Sequence, residues 1–319
     1  MKTPTLDQNI VLVIDKKGKD TIKTSKFDKA LKIIGLIFVY AFLLIVAFFA
    51  LLPFYWMILT SLKYQDIGHF TIDNKFYIPF DEIAWSNYIK VFQVDGFDVP
   101  NLLVNTLTVV GISTIGTFFI TVFASFAFTR LQFKGRDAVF MIFLITMMIP
   151  SELFVTSNFI TMYRLNLLNG RWQIYFATMA PFLVNVFYIY LLNQTFKQIP
   201  NELYLAARVD GKNDWQYLWK VMVPIASPTL ITIVLLKVIS GWNAYAWPKT
   251  VVMGDATYAQ ITVALRDFAD FSIGIGSSSR DLVTLQMAGT VIVTLPLIIL
   301  FLVFRKYIMR GVGRAGIKG

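Results

Sequence analysis

The chain has 319 residues, of which 56% are hydrophobic and only 15% charged, with a mean hydropathy of +0.63; this is too apolar for soluble domains of that length. Its net charge of +10 is spread over separate segments without a base-reading fold, which points to topology and anionic lipid and away from nucleic acid. Cysteine is absent, which excludes disulfides and thiol chemistry, and the single histidine, His69, cannot build a zinc site.

In chain order, residues 1–32 form a polar, Lys-rich N-terminal segment, expected to be a cytoplasmic tail or a surface helix. Six apolar runs follow, at roughly 33–61, 102–129, 138–161, 173–193, 229–248 and 282–304. Each approaches the ~20 residues a spanning helix needs, and lipid-exposed spans must be helical to satisfy their own backbone. The first run is too long for a signal-peptide core and reads as a retained anchor. Residues 33–304 are therefore taken as the membrane domain and 305–319 as a second cytoplasmic tail. Lys and Arg crowd the N-terminal segment, the loops at 130–137 and 194–228, and the C-terminal tail, but are sparse in the other three loops. That asymmetry predicts cytoplasmic termini and a cytoplasmic 194–228 loop.

Two charges fall inside the apolar runs, where ionisable residues are functional candidates by default. Helical rise puts Glu152 at a depth of roughly 21 Å and Lys237 at roughly 12 Å. Lys237 is shallow enough to snorkel to the cytoplasmic interface. Glu152 follows Pro150, and a structural role at that break is the favoured reading. A direct Glu152–Lys237 pair and a proton relay through Glu152 are the alternatives.

The loop from Ile199 to Pro228 is polar and amphipathic. Asn201 is expected to cap a first helix and Gly211 to end it in a left-handed turn. Asn213 is then expected to cap a second helix, with Gln216 at the capping-box position. The first helix carries Leu203, Ala206 and Ala207 on one side, the second Trp215, Leu218, Trp219 and Met222. Spacing alone leaves two readings: a hairpin packed under its own bundle, or a knob offered to a cytoplasmic partner.

The series Glu202, Ala206, Ala207, Asp210, Gly211 and Pro224 resembles the EAA loop of bacterial ABC-importer permeases. Further segments resemble carbohydrate permeases of the MalG-like type: Met148–Glu152, Leu165–Asn169, Ala180–Pro181, Gly241–Pro248 and the closing Gly316–Gly319. The resemblance implies an all-α membrane protein of the MetI-like permease fold, in the bacterial cytoplasmic membrane. It implies four kinds of partner: a MalF-like second permease, cytoplasmic ATP-binding subunits, an extracytoplasmic solute-binding protein and a sugar. The ATPase-docking residues would be Glu202, Ala206, Ala207, Asp210, Gly211, Trp215 and Trp219. Trp242, Asn243 and Tyr245 of the fifth span are expected to face the pathway or the partner permease, with Trp247 nearer the outer interface.

No catalytic constellation is evident, so the chain is expected to be non-catalytic and to bind no cofactor or metal. The run Gly311–Lys318 mimics a P-loop, but Lys does not follow the second Gly and no Ser or Thr comes after it. The energy source is then a partner ATPase or, in the rival class, an ion gradient driving a secondary transporter. A permease for glycerol-3-phosphate or another phosphate ester is the nearest rival on substrate, and a non-transporting scaffold is more remote.

Overall fold

The computed structural model describes residues 12–14, 20–22, 26–63, 76–94, 97–253, 255–274 and 283–313. It divides into two compact units, Met1–Trp56 and Met57–Gly319. His69 and Gly316–Gly319 lie outside the described residues, as does most of the N-terminal segment.

In the first unit, strands β1 (Leu12–Ile14) and β2 (Asp20–Ile22) pair antiparallel, with Val13 opposite Thr21. A short strand pair thus stands where a tail or surface helix was expected. The β-branched Val13, Ile14, Thr21 and Ile22 suit a pleated strand. Helix α1 (Lys26–Ser61) runs without a break through the expected tail boundary at residue 32.

Among the described residues of the second unit, every regular element is helical. Its elements are α2 (Asn87–Lys90), α3 (Val99–Arg130), α4 (Arg136–Thr146), α5 (Val155–Arg164), α6 (Arg171–Met179), α7 (Val186–Lys197), α8 (Asn201–Val209), α9 (Asp214–Tyr217), α10 (Val223–Ile225), α11 (Ser227–Trp242), α12 (Ala246–Val252), α13 (Ile261–Gly274) and α14 (Val283–Gly313). Three described helices are long and apolar enough to cross a membrane by themselves: Ala30–Ser61, Val99–Arg130 and Val283–Lys306. Counting each sharply bent pair as one span gives up to six. Two of these pairs match the third and fourth runs of the sequence reading, whereas the third pair joins the hairpin segment Asp214–Ile225 to α11, which alone begins the fifth run.

The bends have local causes. Between α4 and the short helical turn at Ser151–Phe154 the chain turns by 87°. Pro150 lies in that turn, and a residue preceding proline is pushed out of helical geometry. The second pair bends by 54° after Pro181, where Asn185 begins α7 by accepting the amide of Tyr188 at 3.2 Å. The third bends by 79° between Ile225 and Ser227. At its other end α11 stops at Trp242, and Asn243 and Tyr245 leave the helix before α12 begins. The fifth apolar run is therefore two helices.

Helix α3 is the central element, packing against α7, α11, α6 and α13. Small residues make this possible. A Cβ on Gly241 of α11 would lie 3.2 Å from a Val110 methyl of α3, so the two backbones meet at close range. Thr106, Ser113, Thr117, Thr121 and Ser125 of α3 are buried, and Ser125 donates to the Ile189 carbonyl of α7 at 3.0 Å.

Candidate functional site

Two regions hold the residues singled out above. The first is the hairpin from Asn201 to Ile225. Helix α8 ends as its sequence requires: Gly211 is left-handed at φ 73°, its amide donates to Arg208, and the Lys212 amide donates to Ala207. This pair of bonds is a Schellman closure. Asn213 and Gln216 form the expected reciprocal capping box, with bonds of 2.8 and 3.2 Å. The start of α8 differs from expectation. Pro200 occupies the cap, and Asn201, one place inside, instead accepts a bond from Arg130 at 3.2 Å. Arg130 also donates to the Ile199 carbonyl at 2.7 Å. The end of α3 is thereby tied to the base of the hairpin.

The second half of the hairpin contains a widened π turn at Leu218–Met222. Pro224 lacks an N–H for the carbonyl four residues back, and its ring would crowd it; the wider turn falls where that clash would occur. Leu218 and Met222 are buried with Val122 and Phe126 of α3. Trp215 and Trp219 turn toward the same helix, 5.6 and 6.2 Å from the ring of Phe123. Ala207 is buried, whereas Glu202, Ala206, Asp210 and Gly211 are exposed, and Val209 is 88% exposed. Tyr204 donates to Asp214 at 2.9 Å, and that bond, with some burial, pushes the phenol above its usual range. The residues expected to dock an ATPase thus fall into an exposed edge (Glu202, Ala206, Asp210, Gly211), the buried Ala207, and two tryptophans beside α3, of which Trp215 stays exposed.

The second region is a cavity of about 250 Å³ bounded by α3, the 151–155 segment, α6, α11 and the turn into α12. Lys237, Glu152, Tyr245, Trp247 and Gln260 are among its walls. Lys237 is 7% exposed and its Nζ donates to the Phe182 carbonyl at 2.9 Å. The expected snorkelling is not what is found: the ammonium is buried in the bundle, where a carbonyl at the bend between α6 and α7 accepts it. Glu152 accepts from Ser151 at 3.3 Å and forms no ion pair with Lys237 among the described residues. The break after Pro150 does turn Glu152 into this cavity, although its described bond is to a hydroxyl and not to freed backbone.

The fifth-span residues are distributed differently from the helical spacing that placed Trp242 beside Tyr245. Trp242 is 4% exposed within the chain's own core. Asn243 folds back on the Ile239 carbonyl at 2.9 Å. Tyr245 does line the cavity, and so does Trp247, which had been expected near the outer interface. The reason is the end of α11 at Trp242: beyond it, i to i+3 spacing no longer measures direction. Trp247 is fixed by bonds from its indole N–H to the carbonyls of Ala177 and Thr178, at 3.2 and 3.1 Å. Gln260 was not singled out, because nothing local marks a glutamine in a loop as a cavity wall.

At the other end of α3, Asn101 and Asn105 donate to the Thr257 carbonyl at 2.8 and 2.9 Å, and Asn105 also to Ala259 at 3.0 Å. Thr106 accepts the Ile261 amide at 2.8 Å. Lys249, at the end of this region, binds Asp267 at 2.6 Å and Tyr245 at 2.7 Å, and these partners raise its pKa, the carboxylate first. Among the described residues, no group of three or more His, Cys, Asp or Glu side chains is placed to hold a metal.

The model of the binding-protein-dependent transport system inner membrane component family matches residues 120–314. A lactose transport system permease protein, LacG, of Rhizobium radiobacter is 29% identical over 85% of this chain and 93% of its own length. The trehalose transport system permease protein SugB of Mycobacterium tuberculosis is also 29% identical, covering 85% of this chain and 93% of the relative. Among solved structures, a bacterial ABC transporter involved in importing the acidic polysaccharide alginate contains a chain 27% identical to this one. The two align with a TM-score of 0.71 over 90% of this chain and 99% of that one. The fold is that of an ABC-importer permease, multi-pass and helical, and the chain belongs to the binding-protein-dependent transport system inner membrane component family.

Proposed function

We propose that this chain is one of two permease subunits of an ATP-driven importer for a sugar or oligosaccharide. It acts beside a second permease, takes substrate from a solute-binding protein, and couples to a separate ATPase. The observation that carries this reading is the hairpin. Its exposed edge at Glu202, Ala206, Asp210 and Gly211 is held by a Schellman turn and a capping box, and its base is tied to α3 by Arg130. A stiff, externally presented knob joined to a membrane helix is suited to passing a partner's movement into the bundle. Similar proteins named for lactose, trehalose and alginate support a saccharide substrate. Hydrolysis of ATP is assigned to the partner, and both termini with the hairpin to the cytoplasm.

The test is reconstitution of the assembled complex in liposomes with its binding protein. Oligosaccharide uptake should require ATP and persist in an uncoupler. Uptake that ignores ATP but collapses with the ion gradient would replace this reading with secondary transport. Orientation is checked with single cysteines and an impermeant thiol reagent on intact cells: Asp255→Cys should label and Lys212→Cys should not. Labelling at position 212 alone would invert the topology.

A further inference from the structure

The cavity beside Lys237 has the chemistry of a ligand site within this subunit. We propose that it is a subsite for a single sugar ring carrying a carboxylate, a uronate, whose charge is met by Lys237. This rests on the importer reading above and names the substrate class for it.

Three observations converge. First, the Lys237 ammonium lies in the apolar part of the bundle, 7% exposed, and its described bond goes to the neutral Phe182 carbonyl. An ammonium has three donors, and a buried cation without an anion is costly. An arriving carboxylate supplies the missing charge and takes up remaining donors. Second, Gln260 is 3% exposed and its Oε1 has no described donor. The residue lines the same cavity, and a turn of its side chain would let this amide oxygen accept a hydrogen bond from a ring hydroxyl. Third, Trp247 is locked by its two carbonyl partners before any ligand arrives, so its ring is a preorganised wall.

Size and charge narrow the ligand. About 250 Å³ lies near the lower bound of roughly 300 Å³ for small-molecule pockets, enough for one ring and not for a chain. A longer saccharide would pass ring by ring. A neutral sugar would leave Lys237 without an anion. A phosphate monoester would bring nearly two charges, usually met by several donors or a forked Arg. Here one ammonium faces it, with the Glu152 carboxylate on the same wall. That balance favours a monoanion.

The experiment uses the purified, assembled transporter and follows binding calorimetrically. The probes are trigalacturonate, trimannuronate, their methyl esters (the same rings without charge) and galactose 6-phosphate. At least one acid should bind ten-fold or more tightly than its ester. Lys237→Gln should remove that preference, bringing acid and ester to equal affinity, and Lys237→Arg should keep most of it. Glu152→Gln should strengthen acid binding several-fold by removing a like charge. Equal affinity for acid and ester, no binding of either acid, or a preference that survives Lys237→Gln would overturn the proposal. Tighter binding of galactose 6-phosphate than of both acids would overturn it in favour of a phosphate ester. Should Lys237→Gln fail to assemble, the wild-type acid–ester ratio and the Lys237→Arg variant still decide. The two readings fail differently. Loss of the subsite alone leaves ATP-driven uptake of a neutral trisaccharide intact, whereas failure of the importer reading abolishes ATP dependence for every sugar.

Discussion

The hairpin and the cavity are both built around breaks in helices, yet their determinants are distributed in opposite ways. The hairpin takes its shape from near neighbours: Gly211 closes on Arg208, Lys212 on Ala207, and Asn213 on Gln216. The cavity is assembled from segments as distant as Val110, Glu152, Lys237 and Gln260. A defect in the hairpin should therefore stay in the hairpin, while a defect around the cavity should spread through several helices.

The largest expected effect tests the second half of that contrast. Trp242→Ala empties a core site shared by α11 and its neighbours. Large-to-small core changes cost about 3–5 kcal/mol in soluble proteins. The lower end applies here, because lipid already solvates the separated spans and the loss is mainly of packing. The yield of assembled complex should fall several-fold, measured by size-exclusion chromatography, with flux per surviving complex near normal. Normal yield with altered flux would instead make Trp242 a pathway residue.

Next comes Gly211→Val. Nothing lies within 4 Å of a Cβ at this position, so the penalty comes from the left-handed backbone alone. A strained non-glycine residue of this kind costs about 1–3 kcal/mol, most for a β-branched one. Membrane insertion should be unchanged while co-purification of the ATPase subunits or uptake is lost. Gly211→Asn should retain most of both, because asparagine tolerates this conformation. Full ATPase retention and uptake in the valine variant would remove the hairpin from the coupling path.

The smallest effect is that of Asn213→Ala, which deletes half of the capping box at a cost of about 1 kcal/mol. Faster amide exchange should be confined to residues 213–218. Exchange that also rises in α11 would show that the hairpin is less self-contained than its bonding suggests.

The same division explains what could be read from the residues alone. Long charge-free runs gave away the spans, because lipid demands them of any helix in that position. The turn at Gly211 and the cap at Asn213 were legible, since their bonds close within five residues. Asn201 was misplaced as a cap because Pro200 competes for the position and Arg130 claims the side chain. Lys237 was expected to reach for water; the Phe182 carbonyl that holds it is exposed by a bend in another span. Trp247 and Gln260 joined the cavity through a helix end and a loop whose directions only the packed bundle defines. Sequence spacing tells direction within an element and loses it at each break.

One consequence follows from α3, an uninterrupted helix of 32 residues, about 48 Å long at 1.5 Å per residue. Arg130 fastens one end to the hairpin, and Asn101, Asn105 and Thr106 fasten the other to the strap at Thr257–Ile261. A body gripped at both ends and packed along its middle behaves as a seesaw. Any tilt that carries the hairpin one way must swing the distant strap the other way, in the same instant and by a comparable distance. In the proposed importer, that linkage would couple movement of the hairpin to movement of the strap through one rigid element.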